Sequence, residues 1–220
     1  MPVIHAESDL GSIAPVIDKR SAEVCGKERW EKHKKTVVTF WDIIEKFFKN
    51  LDAAGLKIYQ DGLMADGELG QKIIEEGARR GSKNHQIVLD LVKRGAEIRK
   101  TEDVVLLKEE YSRILKLAQS KSLWEKTTAY IGYRFHRDKL MDKRDLFIAR
   151  TINETLKDRE SGLLFIGVFH DVRPHLAEDI AVREVKDRKK VGDYFRLLIS
   201  GGDKEKFDQL ADYLTLDFNN

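Results

Sequence analysis

Residues 162–170 read Gly-Leu-Leu-Phe-Ile-Gly-Val-Phe-His and contain the longest apolar run of this 220-residue chain. The run is short and nearly continuous in apolar residues, which is typical of a strand buried on both faces in a parallel sheet. It closes on a histidine, His170. The stretch therefore predicts a central strand with an imidazole at its carboxyl end.

Further strand-like segments occur on both sides of this run along the chain. They are residues 2–5, 56–61, 96–102 and 180–186. Helical patterns separate them, as in residues 30–51, where apolar side chains recur at the spacing of one buried stripe. Strands joined through helices pair in parallel, because only a crossover returns the chain to the same edge. We therefore expect one α/β domain over residues 1–220, with a mainly parallel sheet of about five strands, helices on both faces and the C-terminal helices packed on it.

Two smaller predictions concern helices. Asp142 and Asp145 are placed to start a helix, because acidic residues favour the first turn. The histidines that lie among charged residues in helical patterns are predicted to be surface residues: His33, His85 and His136. The crowded aromatic residues on the helix at 30–51 indicate either a homo-oligomer contact or a helix buried on two sides.

The composition excludes several classes of protein. With 40 Lys and Arg against 38 Asp and Glu, the chain has no strong basic field for nucleic acid. No apolar run approaches the roughly 20 residues that a membrane helix needs. The first eighteen residues lack the basic and apolar parts of an export signal, and Cys25 is the only cysteine. These features predict a reduced, cytoplasmic protein.

Polar residues close the predicted strands. The first ends in His5, the second in Asp61, the third in Glu102 and the central one in His170. In open parallel sheets ligands bind beyond the carboxyl ends of the strands, so we expect these side chains to share one edge. They can act in two ways: His5, His170 and Asp61 can hold a divalent metal ion, or the same groups can supply a general base and acid without metal. The residue types leave both open.

Structural explanations exist for several of these residues. Thr101 can cap a helix that begins near Val104, with Glu102 favoured by the helix dipole. Asp61 and Gly62 form a common turn pair. The two strand-end histidines differ, because a polar ring at the end of an apolar strand must find a partner. The chain has no phosphate-binding loop, dinucleotide fingerprint or serine nucleophile elbow.

One pair of motifs points to a family. The sequence Arg-Asp-Leu-Phe-Ile-Ala at 144–149, followed by Gly-Val-Phe-His at 167–170, resembles motifs of the erythromycin esterase, ChaN-like and TraB/PrgY (Tiki-like) group. The N-terminal strand ending in His5 is similar to the opening of those proteins. At the second strand Asp61 stands where the group usually has Glu.

The resemblance implies an α/β fold and a site made of His5, Asp61, Glu102, Arg144 and His170. The group includes metal-dependent peptidases, macrolide esterases that activate water, haem binders and regulators. The resemblance also implies that His170 activates water and that Asp61 or Glu102 orients the imidazole of His170. Arg144 would hold a substrate carboxylate or an oxyanion, or would form a buried bridge to Asp61.

The predicted function is hydrolysis of an ester or peptide bond in a small or peptidic substrate. The activating group is either a divalent metal or His170 itself. The alternative is a non-catalytic ligand-binding or regulatory module on the same scaffold.

Overall fold

A computed structural model describes residues 1–4, 14–109, 112 and 123–218, without the side chains of 14–17, 19–20 and 123–138. Within these residues the fold is α/β, with a parallel sheet of four strands in the order β1-β4-β2-β3. The strands are β1 Pro2–Val3, β2 Lys57–Gln60, β3 Glu97–Arg99 and β4 Gly162–Gly167. The apolar run of β4 thus lies between two other strands, as its composition predicts.

Helices connect and follow the strands. They are α1 Ala14–Cys25, α2 Lys27–Lys49, α3 Gly67–Arg79, α4 Lys83–Lys93, α5 Leu123–Thr155, α6 Arg188–Ser200 and α7 Lys204–Leu214. Residues 104–109 are also helical, and Arg173–His175 form a short 3₁₀ turn after β4. Caps fix some of these ends: the side chains of Asp187 and Asp203 accept hydrogen bonds at the starts of α6 and α7.

In the part of the chain that the structure describes, the buried apolar side chains divide into two clusters. In β4, Leu163 and Phe165 belong to a large cluster with α2, α4, α6 and α7. Their neighbours Leu164 and Ile166 belong to a smaller cluster with Ile148, Ala149 and Ile152 of α5. Successive residues of a strand point to opposite sides of the sheet, which explains the division. In the large cluster the indole of Trp41 donates a 2.8 Å hydrogen bond to the carbonyl of Ile4, next to β1.

Two strand predictions need correction. Residues 180–186 form no strand: residues 181–184 are exposed and irregular, so they bury no alternating face against the sheet. The third strand ends at Arg99 rather than at Glu102. The amides of Thr101 and Glu102 instead donate to the carbonyl of Leu63, at 2.8 Å and 3.0 Å, in the loop after β2.

Two helix predictions are also wrong. Asp145 does not start a helix, since α5 is continuous across it. His33 is not a surface residue: it is 6% exposed, and its Nδ1 lies 2.9 Å from the hydroxyl oxygen of Tyr194. Among the described residues, none of the helices combines the length and apolar character needed to cross a bilayer.

Candidate functional site

A set of charged side chains meets at the carboxyl edge of the sheet. Asp61 follows β2, Glu102 lies beyond β3 and His170 lies beyond β4, while Arg144 and Asp145 extend from the middle of α5. We call these residues the polar network. Gly62, with φ of 81°, turns the chain directly after Asp61.

Arg144 joins two of the carboxylates. Its Nη2 lies 2.6 Å from Oε2 of Glu102 and 3.2 Å from Oδ1 of Asp61, and its Nε lies 3.1 Å from the same Glu102 oxygen. The side chain of Glu102 is only 1% exposed. A carboxylate this deeply buried is stable in its charged form only when it is paired. Arg144 therefore forms the bridge to Asp61 that the sequence offered as one alternative, and extends it to Glu102.

His170 is held by Asp145. Nδ1 of the imidazole lies 2.5 Å from Oδ1 of Asp145, and His170 is 5% exposed. An ionised carboxylate only accepts hydrogen bonds, so in the neutral ring Nδ1 carries the proton and Nε2 has the free lone pair. Nε2 lies 3.5 Å from Oδ2 of Asp61. The second oxygen of Asp145 accepts a 2.8 Å hydrogen bond from the amide of Asp171.

Backbone contacts fix the turn that carries His170. Its amide donates to the carbonyl of Gly167 at 3.1 Å, and the Gly167 amide donates to Oδ2 of Asp61 at 3.2 Å. Arg188, the first residue of α6, donates to the carbonyl of His170 and pairs with Oδ1 of Asp171 at 3.0 Å. The imidazole is thus supported from β2, α5 and α6 together.

The structure brings together most of the residues that the sequence predicted for the site. Asp61, Glu102, Arg144 and His170 are linked by the contacts above, whereas His5 lies outside the described residues. Ile4, the residue before it, follows β1, whose Val3 pairs with Gly167. A role for His5 at this edge stays a prediction.

The metal prediction also depends on His5. Over residues 1–4, 14–109, 112 and 123–218, no group of three or more His, Cys, Asp or Glu side chains is arranged to hold a metal ion. Asp61 and His170 contribute one oxygen and one nitrogen donor, 3.5 Å apart. Two donors are fewer than a protein metal site normally uses, so a site here needs the third predicted ligand.

Sequence reasoning missed Asp145 as a member of the site. The available signal was its position directly after Arg144, since adjacent residues of a helix lie about 100° apart and can serve two neighbouring partners. The prediction for Thr101 was wrong in another way: its hydroxyl donates to the carbonyl of Gln60, and Asp103 caps residues 104–109 by accepting a 2.7 Å bond from Val105.

A cleft of about 640 Å³ lies beside the polar network, between α5, β4 and the segment that leads to α6. His170 and Asp171 form part of its wall. Tyr59 also lines the cleft, and its hydroxyl lies 2.9 Å from that of Thr155. Burial raises the pKa of Tyr59, which keeps this hydroxyl protonated. His170 therefore borders a space that can hold a small molecule.

Neither a protein-family model nor a curated protein nor a solved structure matches this chain. The assignment of function depends on the geometry of the polar network and of the cleft beside it.

Proposed function

We propose that this protein hydrolyses an ester or amide bond, with His170 as the general base that activates water. The observation that carries the proposal is the contact of 2.5 Å between Nδ1 of His170 and Oδ1 of Asp145. A carboxylate in this position fixes the tautomer whose Nε2 can take a proton, which is the arrangement that hydrolytic His and Asp pairs use.

In the proposed reaction a water molecule attacks the carbonyl carbon of the substrate and gives its proton to Nε2 of His170. Asp145 stabilises the imidazolium that results. When the tetrahedral intermediate collapses, the bond to the leaving alkoxide or amine breaks and the imidazolium returns the proton to it. The products are the carboxylic acid and an alcohol or amine, and the base is regenerated.

Asp61 and Arg144 have supporting roles in this proposal. Asp61 lies 3.5 Å from Nε2, so its carboxylate can orient the attacking water. Arg144 holds Asp61 and Glu102 in place, and we assign its positive charge to the stabilisation of the negative charge that develops on the substrate. With a divalent metal on Asp61, His170 and His5, the ion would supply the activated water instead.

We also propose that this protein is related to the erythromycin esterase, ChaN-like and TraB/PrgY group. It is supported by the contact between the two motifs that carry the resemblance, the Arg144-Asp145 pair and the turn at 167–170. The proposal also takes the fold to have helices on both faces of the sheet, which the division of the apolar side chains into two clusters supports.

The test is a panel of p-nitrophenyl esters and fluorogenic peptides, assayed with protein purified without chelator and analysed for bound metal. His170→Ala and Asp145→Asn should each lower kcat/KM by about 10³-fold or more, because the first removes the base and the second favours the wrong tautomer. Asp145 acts through His170, so its variant should also change the pH profile of kcat.

His175→Ala is the matched control, since this histidine lies outside the polar network and contacts Asp142 at 3.5 Å. Its rate should equal that of the unchanged protein. A protein that binds ligands but shows no rate dependent on His170 would instead be the ligand-binding or regulatory module of the alternative hypothesis. Stoichiometric metal that His170→Ala removes would favour the metal-assisted form of the reaction.

A further inference from the structure

The cleft beside His170 runs alongside β4. It is lined by Gly162 at the start of β4, by Gly167 at its end and by His170 beyond it. At about 3.3 Å per residue, the strand alone extends for about 16 Å. Its volume of about 640 Å³ is within the range of roughly 300–1,000 Å³ that small-molecule sites occupy. A ligand that follows β4 through the cleft therefore has one end near His170.

Apolar side chains form about half of the wall along this length. They include side chains of α5, of β4 and of the segment after the 3₁₀ turn: Ile152, Leu156, Leu164, Ile166, Leu176 and Ile180. Leu156, Leu164, Leu176 and Ile180 are only partly buried, although they belong to the smaller apolar cluster. Their remaining exposed surface faces a space that an apolar group could fill, which would remove this surface from water.

The charges around the cleft do not select a charged ligand. Five basic and five acidic side chains line it. Arg173 pairs with Glu184 at 3.1 Å and Arg188 pairs with Asp171 at 3.0 Å. Because these charges balance, the part of a ligand that lies along the cleft gains more from apolar contact than from ion pairing.

The sheet also disfavours an extended peptide in the cleft. A peptide that binds alongside a strand needs a free edge with unpaired backbone groups. β4 pairs with β2 from Gly162 to Phe165 and with β1 only at Ile166 and Gly167. On the β1 side of residues 162–164 the carbonyl of Leu164 already accepts a 2.8 Å hydrogen bond from the amine of Met1, so a peptide would gain few backbone hydrogen bonds there. An acyl chain needs no backbone partners and fits the same space.

We infer that the substrate carries a long apolar acyl group, which lies along β4 in this cleft with its carbonyl carbon at His170. The identity of the substrate as an ester or amide rests on the proposed function, whereas the apolar side chains that line the cleft are an independent feature. Each methylene buried should improve binding by about fourfold until the cleft is filled. The kcat/KM of p-nitrophenyl esters should rise accordingly from acetate towards decanoate.

Binding is tested separately from catalysis by fluorescence titration with 11-(dansylamino)undecanoic acid. The unchanged protein and His170→Ala should both bind the probe at one site with micromolar affinity. Ile180→Arg and Leu176→Arg place a charge in the cleft and should each weaken binding tenfold or more. Ile199→Arg is the control, because Ile199 is 61% exposed on α6 and does not line the cleft. Thermal unfolding identifies any variant that fails to fold.

The outcomes separate the two claims. Tight binding with no hydrolysis would support the acyl cleft and remove the proposed function. Hydrolysis that is indifferent to acyl length, with no binding of the probe, would overturn the acyl cleft and leave the hydrolase. Equal binding by the unchanged protein and by a folded Ile180→Arg or Leu176→Arg variant would also overturn it.

Discussion

The buried imidazole of His33 should make the protein less stable as the pH falls below 6.5. His33 lies in α2 and contacts the hydroxyl of Tyr194 in α6, with only 6% of the residue exposed. The ring of Trp30 packs against it at 4.8 Å between centroids. This burial lowers the pKa of His33 from 6.5 to about 4, because the charged ring loses its hydration.

The direction of this change in stability with pH follows from proton binding to His33. Between pH 6.5 and pH 4 the unfolded chain binds a proton at this residue and the folded chain does not, so acid favours unfolding. Relative to pH 7.5, we expect His33 to remove about 2 kcal/mol from the free energy of unfolding at pH 5 and about 3 kcal/mol at pH 4. The stabilisation that neutral His33 provides is fully present above pH 6.5 and is lost as the pH falls from 6.5 to 4.

The assay is urea unfolding followed by circular dichroism at pH 7.5, 6 and 5. His33→Gln does not titrate and keeps an amide that can bond to Tyr194, so its loss of stability on acidification should be smaller than that of the unchanged protein by about 2 kcal/mol at pH 5. His175→Gln is the control, since the side chain of His175 is 28% exposed. Parallel pH dependence for the unchanged protein and His33→Gln would refute the reasoning.

Three further predictions concern stability at pH 7.5, measured by the same urea unfolding. Arg144→Met should lower the free energy of unfolding by about 3 to 5 kcal/mol, because it removes one partner of the buried pair with Glu102. Lys186→Met should cost about 1 to 3 kcal/mol, because the ammonium group donates to two carbonyls at the end of α7, at 2.7 Å and 3.2 Å. Trp41→Phe should cost about 1 to 3 kcal/mol, since it leaves the buried carbonyl of Ile4 without its indole donor.

Controls match these variants. Lys189→Met removes an exposed lysine near Lys186 and should change stability by less than about 0.5 kcal/mol. Arg144→Lys keeps the positive charge but loses the planar fork, so its loss should fall between those of the unchanged protein and Arg144→Met. A loss below about 1 kcal/mol in Arg144→Met would mean that the buried pair contributes little.

The sequence predicts the strands because their apolar patterns are local. The run at 162–170 and the segments at 2–5, 56–61 and 96–102 each contain a strand of the sheet. The segment at 180–186 shows the limit of this reasoning. It contains the β-branched residues Ile180, Val182 and Val185, which favour a strand, yet a local pattern does not show whether a segment pairs with the sheet.

The polar network is predictable in part for the same reason. Asp61, Glu102 and His170 follow strands, so parallel pairing alone brings them to one edge. Parallel pairing does not predict the partner of His170, because Asp145 lies on a helix, 25 residues earlier in the chain. His33 was misread from its charged neighbours Lys32 and Lys34, although it shares a helical face with the buried residue four positions later.

The position of β4 between β1 and β2 also constrains how the protein is made. The ribosome releases β1, β2 and β3 before β4, and the N-terminal amine of Met1 donates to the carbonyl of Leu164, 163 residues later in the chain. The pair β2 and β3 can form early in synthesis, but among the described strands β1 pairs only with β4, which emerges last. Nascent chains that stop before residue 162 therefore leave their first strand unpaired, and they are the form most in need of a chaperone.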